Sequence, residues 1–238
     1  MWAICKKELG QFFSSLTGYS AIAVFLLANG LVLFLFRNNI LDEGYASLAP
    51  FFNLAPWILL LLIPAVTMRS FSDEYRSGTF ELLRTLPLSA RDLVIGKFLG
   101  SYLVVLAALV PTLIYYFTIN HLAATEGIDA GAAAGSYLGL ALLAAVFTAI
   151  GVCVSSFFNN AVLSFLITVV ACALLYYGFS AVSALVGHPL DYYLSMLGID
   201  FHYQSISRGV VDSRDIIYFA SLLLLLYLIT KQNIAGHQ

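Results

Sequence analysis

The chain has 238 residues, 61% of them hydrophobic and 10% charged, with a mean hydropathy of +0.92. Soluble domains are about 45–50% apolar and about 25% charged, so this balance excludes a water-soluble fold and makes the membrane span of roughly 20 apolar residues the natural unit. A formal net charge of −2 excludes a global basic field for nucleic acid, which leaves charge to act by position.

In chain order, Trp2, Cys5, Leu9, Phe12 and Phe13 recur at helical spacing with Lys7, Gln11 and Ser14 opposite. This predicts an interfacial helix over residues 1–14, lying along one leaflet of the lipid bilayer. Lys6 and Lys7 ahead of an apolar run resemble a signal peptide. The run from Leu16 to Phe36 is too long for a cleaved segment and lacks a small-residue cleavage site at its end, so it reads as a retained first span. Charge-free stretches place six spans at about 16–36, 50–68, 98–119, 136–156, 161–186 and 216–230. The whole chain, 1–238, therefore reads as a single all-α polytopic membrane domain of six transmembrane helices with an N-terminal interfacial helix.

Lysine and arginine positions orient it. With the N-terminus inside, Lys6, Lys7, Arg69, Arg76, Arg84, Arg91, Lys97 and Lys231 fall on the inner side. Only Arg37, Arg208 and Arg214 fall outside, and cytoplasmic loops are the ones that retain such residues. Both termini are then cytoplasmic, residues 69–97 form the main inner loop, and 187–214 the main external one.

Within the spans, Gly131, Gly135 and Gly139 are spaced four apart and Gly96 and Gly100 repeat the spacing, which marks faces for close helix approach. Such faces serve packing within one chain or a dimer seam. Pro64 and Pro111 fall inside apolar runs and predict bends. Asn29, Asn53, Thr112, Tyr115, Tyr116, Thr148 and Thr168 are polar at membrane depth and read as interhelical hydrogen-bonding groups. No Asp, Glu, Lys or Arg lies mid-span, which argues against built-in proton or sodium coupling.

The chain carries no G-x-x-x-x-G-K-[ST] phosphate loop, so it does not hydrolyse ATP by that route. Gly18-Tyr19-Ser20-Ala21 and Gly178-Phe179-Ser180-Ala181 superficially match the serine element of an intramembrane protease. A serine nucleophile needs a base, and His121, His188, His202 and His237 all read as loop or tail residues. No zinc motif or carboxylate cluster marks a metal site. Cys5, Cys153 and Cys172 stand far apart in apolar surroundings and read as packing residues.

The inner loop is the most informative segment. Gly78 and Pro87 punctuate short amphipathic stretches, and Ser89-x-x-Asp92 opens a new helix as a capping box does. Asp73, Glu74, Arg76, Glu81, Arg84, Arg91 and Asp92 alternate in sign, while Phe80, Leu82, Leu83 and Leu86 offer apolar area. Such a mixed surface suits docking to a soluble protein better than binding to anionic lipid.

The run Glu74-x-x-x-Gly78-Thr79-x-Glu81-x-Leu83, then Leu86-Pro87-Leu88-Ser89 and Gly96-Lys97, resembles the loop between spans two and three of ABC-2 type permeases. The segments WAICKKELGQFFSSLTGY, YASLAPFFNLAPWILLLLIPAVTMRSF and FHYQSISRGVVDSRDIIYF are similar to the permease subunit associated with gliding motility in Bacteroidetes. The resemblance implies a six-span permease of the bacterial inner membrane with an elbow helix (Trp2, Leu9, Phe12, Phe13), working as a homodimer. It implies two partner ATPase subunits that hold ATP and magnesium, no cofactor in this chain, and an auxiliary membrane protein with an extracytoplasmic domain. It further implies a coupling helix that meets the ATPase through residues among Glu74, Gly78, Thr79, Glu81, Leu82, Leu83 and Arg84. Short external or re-entrant helices are implied over about Pro189 to Arg214, including Phe201, His202, Arg208 and Gly209. Two functions fit: a permease subunit coupling ATP hydrolysis to export, or an ATPase-driven scaffold that moves a partner instead of a solute.

Overall fold

The computed structural model describes residues 1–36, 47–81, 89–123, 127–186, 190–209 and 211–236, and these are helical with no strand among them. Helix α1 (Trp2–Phe13) gives way to α2 (Leu16–Phe34) at Ser15, whose side chain accepts the Gly18 N–H at 3.2 Å. The two helices meet at a bend of 72°. Gly18 is needed at this corner, because the backbone carbonyl of Phe12 occupies the space a Cβ would take.

Helix α3 (Ala49–Thr67) starts with Pro50 in its first turn, where the missing N–H costs nothing. It is followed by the short α4 (Ser72–Ser77), stopped by Gly78 in the left-handed conformation at φ 69°. Helix α5 (Ala90–Leu109) is capped by Ser89, which accepts the Asp92 N–H at 3.2 Å as the capping box predicts. Pro111 then tightens the chain into a 3₁₀ turn at Val110–Thr112 before α6 (Leu113–Leu122). The third span thus begins near Ala90, not Phe98. Helix α7 (Ala130–Ser155) is capped by Asp129, and α8 (Ala161–Ala173) by Asn160. The fifth span is not one regular helix: a π turn at Leu174–Gly178 separates α8 from α9 (Phe179–Ser183). Helices α10 (Leu190–Ser195), α11 (Ile199–Ser207) and α12 (Ser213–Gly236) complete the described chain. The last span is longer than its charge-free stretch of 216–230.

Among the described residues, five helical segments are long and apolar enough to cross a membrane, and six if the bent α1–α2 pair is counted as one span. This is a multi-pass membrane protein. Its hub is α7, which packs on α3, α5, α8, α11 and α12. The most apolar window of α7 is 78% buried, against 22% for the α8–α9 span and 17% for α12, so the latter two form the periphery. Lipid is as apolar as leucine, so the core around Phe25, Phe51, Leu59, Ile63, Phe147 and Phe219 is held by van der Waals fit.

Small residues set that fit within one chain. A Cβ at Gly135 would come within 3.0 Å of the Gly209 backbone, and one at Gly139 within 3.1 Å of Ile206, so this face of α7 receives α11. Gly96 and Gly100 likewise receive Ile4 and Glu8 of α1. The polar groups at membrane depth mostly bond within their own helices, contrary to the interhelical expectation. Asn29 donates to Phe25 O, Thr148 to Ala144 O and Thr168 to Ser164 O, because the carbonyl four residues back is the nearest acceptor. Tyr115 O–H, donating to Leu26 O at 2.7 Å, and Tyr137 O–H, donating to Thr112 O at 3.0 Å, do cross between helices.

Candidate functional site

The charge excluded from the spans gathers at the end of the bundle where α1 lies. Lys97 is in the second turn of α5, 1% exposed; its ammonium donates to Glu8 Oε1 at 2.9 Å and to the carbonyl of Ser70, and it pairs with Glu74 Oε1 at 3.0 Å. The Phe71 ring lies 4.8 Å from its nitrogen. Lys7 Nζ also bonds Glu74 Oε1, at 2.9 Å. Two lysines therefore balance two carboxylates, and a charged group that would cost several kcal/mol to bury alone is held by opposite charges, with Glu74 Oε2 the one carboxylate oxygen here that is buried and has no hydrogen-bond partner among the described residues. These residues come from α1, α4 and α5, so the junction locks the elbow and the loop helix to the third span.

Serines extend this junction into the rest of the bundle. Ser155, at the end of α7, accepts the N–H groups of Phe71 at 3.0 Å and Ser72 at 3.3 Å. It satisfies donors at the start of α4 that no local side chain caps. Asn233 of α12 donates to Ser156 O at 2.7 Å. Phe80 packs inward on Tyr75, with ring centroids 4.7 Å apart, within a cluster of Phe71, Val94, Val152 and Ile234.

The loop helix accordingly has two faces. Glu74 (7% exposed) and Phe80 (5%) point into the bundle, while Asp73, Arg76, Ser77, Gly78, Thr79 and Glu81 are exposed. Apolar area expected from Phe80 for docking is therefore spent on the bundle itself. Leu82, Leu83 and Arg84, and with them Leu86 and Pro87, lie outside the described residues.

The elbow turns Ile4, Cys5 and Glu8 toward the bundle. Ile4 and Cys5 are buried and Glu8 nearly so, because α1 lies on the glycine face of α5. Trp2 is 67% exposed, whereas Leu9, Phe12 and Phe13 are half-buried.

At the far end, α11 inserts against α7, with Ile199, Tyr203 and Ile206 buried. Tyr203 O–H donates to Phe52 O at 2.7 Å. His202 is not a loop residue: it is buried on α11, with Nδ1 2.7 Å from Asp215 Oδ1 and Nε2 2.9 Å from Met196 O. A carbonyl oxygen only accepts, so Nε2 is the donor to Met196 O, and the Asp215 carboxylate is the partner of Nδ1. The Tyr218 ring stacks on the imidazole at 3.9 Å. Gly209 adopts φ 86° where its backbone closes on Ala132, Arg208 precedes it at the end of α11, and Phe201 packs edge-on to Tyr192.

The bundle thus carries an N-terminal helix packed on the third span, a short helix after the second and short helices before the sixth. Residues 39–199 match the family described as ABC-2 family transporter protein. The chain belongs to that family. None of the curated proteins compared with it matches. As an ABC-2 family member the chain is a transporter permease, a membrane transport subunit and not itself a catalyst, and the family implies an ABC ATPase partner.

Within this ABC-2 permease, sequence reasoning missed the pairing of Glu8, Glu74 and Lys97. Two signals pointed to it. Glu8 is the only acidic residue before Asp42, and Lys97 interrupts the apolar stretch Leu93 to Leu99. A charge in such a place needs a partner.

Proposed function

We propose that this chain is the membrane subunit of an ABC transporter in which the elbow end faces the cytoplasm and the exposed face of α4 and the turn after it dock an ATPase. The observation that carries this reading is the Lys97 junction. It makes α4 a rigid extension of the bundle, so displacement of the exposed Arg76–Thr79 face is delivered to α5 through Glu74 and to α7 through Ser155. Docking residues on this reading are Gly78, Thr79 and Glu81, joined by Leu82, Leu83 and Arg84, while Glu74 serves as the inner anchor. The partner binds ATP and magnesium, and its closure biases two arrangements of the helices.

The skew of lysine and arginine toward the elbow end supports the cytoplasmic placement. The thinly covered α8–α9 and α12 spans support assembly with a second copy of the chain or with other membrane subunits. Similarity to gliding-motility permeases supports work on an auxiliary membrane protein with an extracytoplasmic domain as the output, in preference to movement of a small solute. The test is co-purification from native membranes of wild-type chain and of an Arg76→Glu, Thr79→Trp double variant. The reading expects an ATPase subunit with the wild type and its loss from a variant of unchanged thermal stability. An ATPase retained by the variant would refute the docking face.

A further inference from the structure

A groove of about 400 Å³ runs between α5 and α12, floored by Ala149 and Val152 of α7. Both flanking helices lean on α7, and the small floor residues leave the space between them open to the bilayer. The walls are hydrocarbon along their length, as at Val94, Phe98 and Leu223. Polarity is confined to the elbow end. Arg91 lies there, exposed and without an ion-pair partner among the described residues, and so does Tyr227, whose hydroxyl has no hydrogen-bond partner among them. The other hydroxyl at that end, of Thr230, is committed to Leu226 O at 2.7 Å, and the carboxylate nearest Arg91 in sequence, Asp92, accepts from Ser89 at 2.6 Å.

The groove's length identifies its occupant. From Arg91 to Leu99 the helix climbs eight residues, about 12 Å at 1.5 Å each. One leaflet is about 15 Å of hydrocarbon, half of the bilayer's core of about 30 Å. With the charged Arg91 at the membrane interface, a groove of this length spans most of one leaflet. A helix from a second copy would be about 10 Å wide and continue across the whole bilayer, whereas an acyl chain ends where the groove ends.

We propose that this groove binds one acyl chain of an anionic phospholipid from the leaflet on the elbow side, with the phosphate held by the Arg91 guanidinium and the Tyr227 hydroxyl. The guanidinium fork suits a phosphate, and although the exposed Asp92 carboxylate lies next to Arg91 in sequence, it is engaged by Ser89 and faces the N-terminal amine at 4.0 Å, so net anionic headgroups are preferred over zwitterionic ones. This site is independent of ATPase docking, because neither Arg91 nor Tyr227 is on the exposed face of α4.

The experiment is native mass spectrometry of the full chain released from nanodiscs holding equal amounts of phosphatidylglycerol and phosphatidylcholine with identical chains. The wild type retains one lipid with about fivefold preference for phosphatidylglycerol, the effect of roughly 1 kcal/mol per basic residue at an anionic surface. Arg91→Gln brings the ratio close to one, Arg91→Lys keeps most of it, and Leu223→Trp, which fills the groove, loses the retained lipid. Equal retention of both headgroups by the wild type, or an unchanged ratio in Arg91→Gln, overturns the proposal. Phosphatidylglycerol still bound to Leu223→Trp places it elsewhere. A dimer mass lost with Leu223→Trp would make the groove a contact between copies.

Discussion

The two ends of the bundle bury charge in different ways. At the elbow end, Lys97, Glu8, Glu74 and Lys7 join residues 23 to 89 positions apart, from three helices, with each charge met by an opposite one. At the far end, His202 and Asp215 are 13 positions apart and meet directly at 2.7 Å. The first arrangement binds distant parts of the chain into a rigid unit. The second fastens one hairpin of short helices onto the last span. The difference teaches that a permease can keep its mid-span free of ions and still use buried charge at both ends, as a frame at one and a clasp at the other.

The sharpest way to break this contrast is Lys97→Met, which removes the cation that Glu8 and Glu74 share. Leaving buried carboxylates uncompensated costs about 3–5 kcal/mol, so thermal unfolding in detergent should show a large drop. Neutralising both acids as well, with Glu8→Gln and Glu74→Gln, should recover most of it; an equally unstable triple variant would mean that the charges are not what holds the junction.

At the far end, Asp215→Ala removes the partner of His202 Nδ1 and should cost about 1–3 kcal/mol, read as faster proteolysis within residues 190–212 while the remaining spans stay protected. Global unfolding instead would erase the distinction between clasp and frame. Next in size, Gly135→Val forces a side chain against the Gly209 backbone and should cost about 1–3 kcal/mol, with α11 displaced. Gly131→Ala meets only the Asp129 side chain, at 3.2 Å, and should stay within about 0.5 kcal/mol in the same assay.

The smallest effect belongs to the exposed Arg69–Asp73 pair at 3.9 Å. Asp73→Ala should change stability by less than about 1 kcal/mol, while weakening ATPase association in a pull-down. A stability loss matching that of Lys97→Met would show that the loop helix has no free face.

Much of this was legible from residue order. Hydropathy located the spans within several residues, Ser89 and Gly78 marked helix ends by their own chemistry, and Pro111 marked its break. The elbow followed from apolar spacing in residues 2–13, although its inward face did not. Trp2 and Phe12 mark the apolar face of the helix, but that Ile4 and Cys5 would be buried and Glu8 nearly so depended on Gly96 and Gly100, about 90 residues away in the chain. Long-range pairing of this kind has no local signature. The π turn at Leu174–Gly178 was equally hidden, since it arises where Tyr176 packs among Trp57, Phe147 and Tyr203 from other helices. Among the site residues, Gly78 marks a break in the loop by its type alone, and it ends α4 in the left-handed conformation. The inward turn of Glu74 required knowing where Lys97 would lie.

The central claim is that the exposed face of α4, held rigid by the Lys97 junction, is where the ATPase docks. A photo-crosslinking residue placed singly at Arg76, Thr79, Asp212 or Arg214 in native membranes tests it most directly. The account predicts adducts with an ATPase subunit from Arg76 and Thr79 and none from Asp212 or Arg214. Adducts from the far-end positions, with none from Arg76 and Thr79, would contradict both the docking face and the orientation.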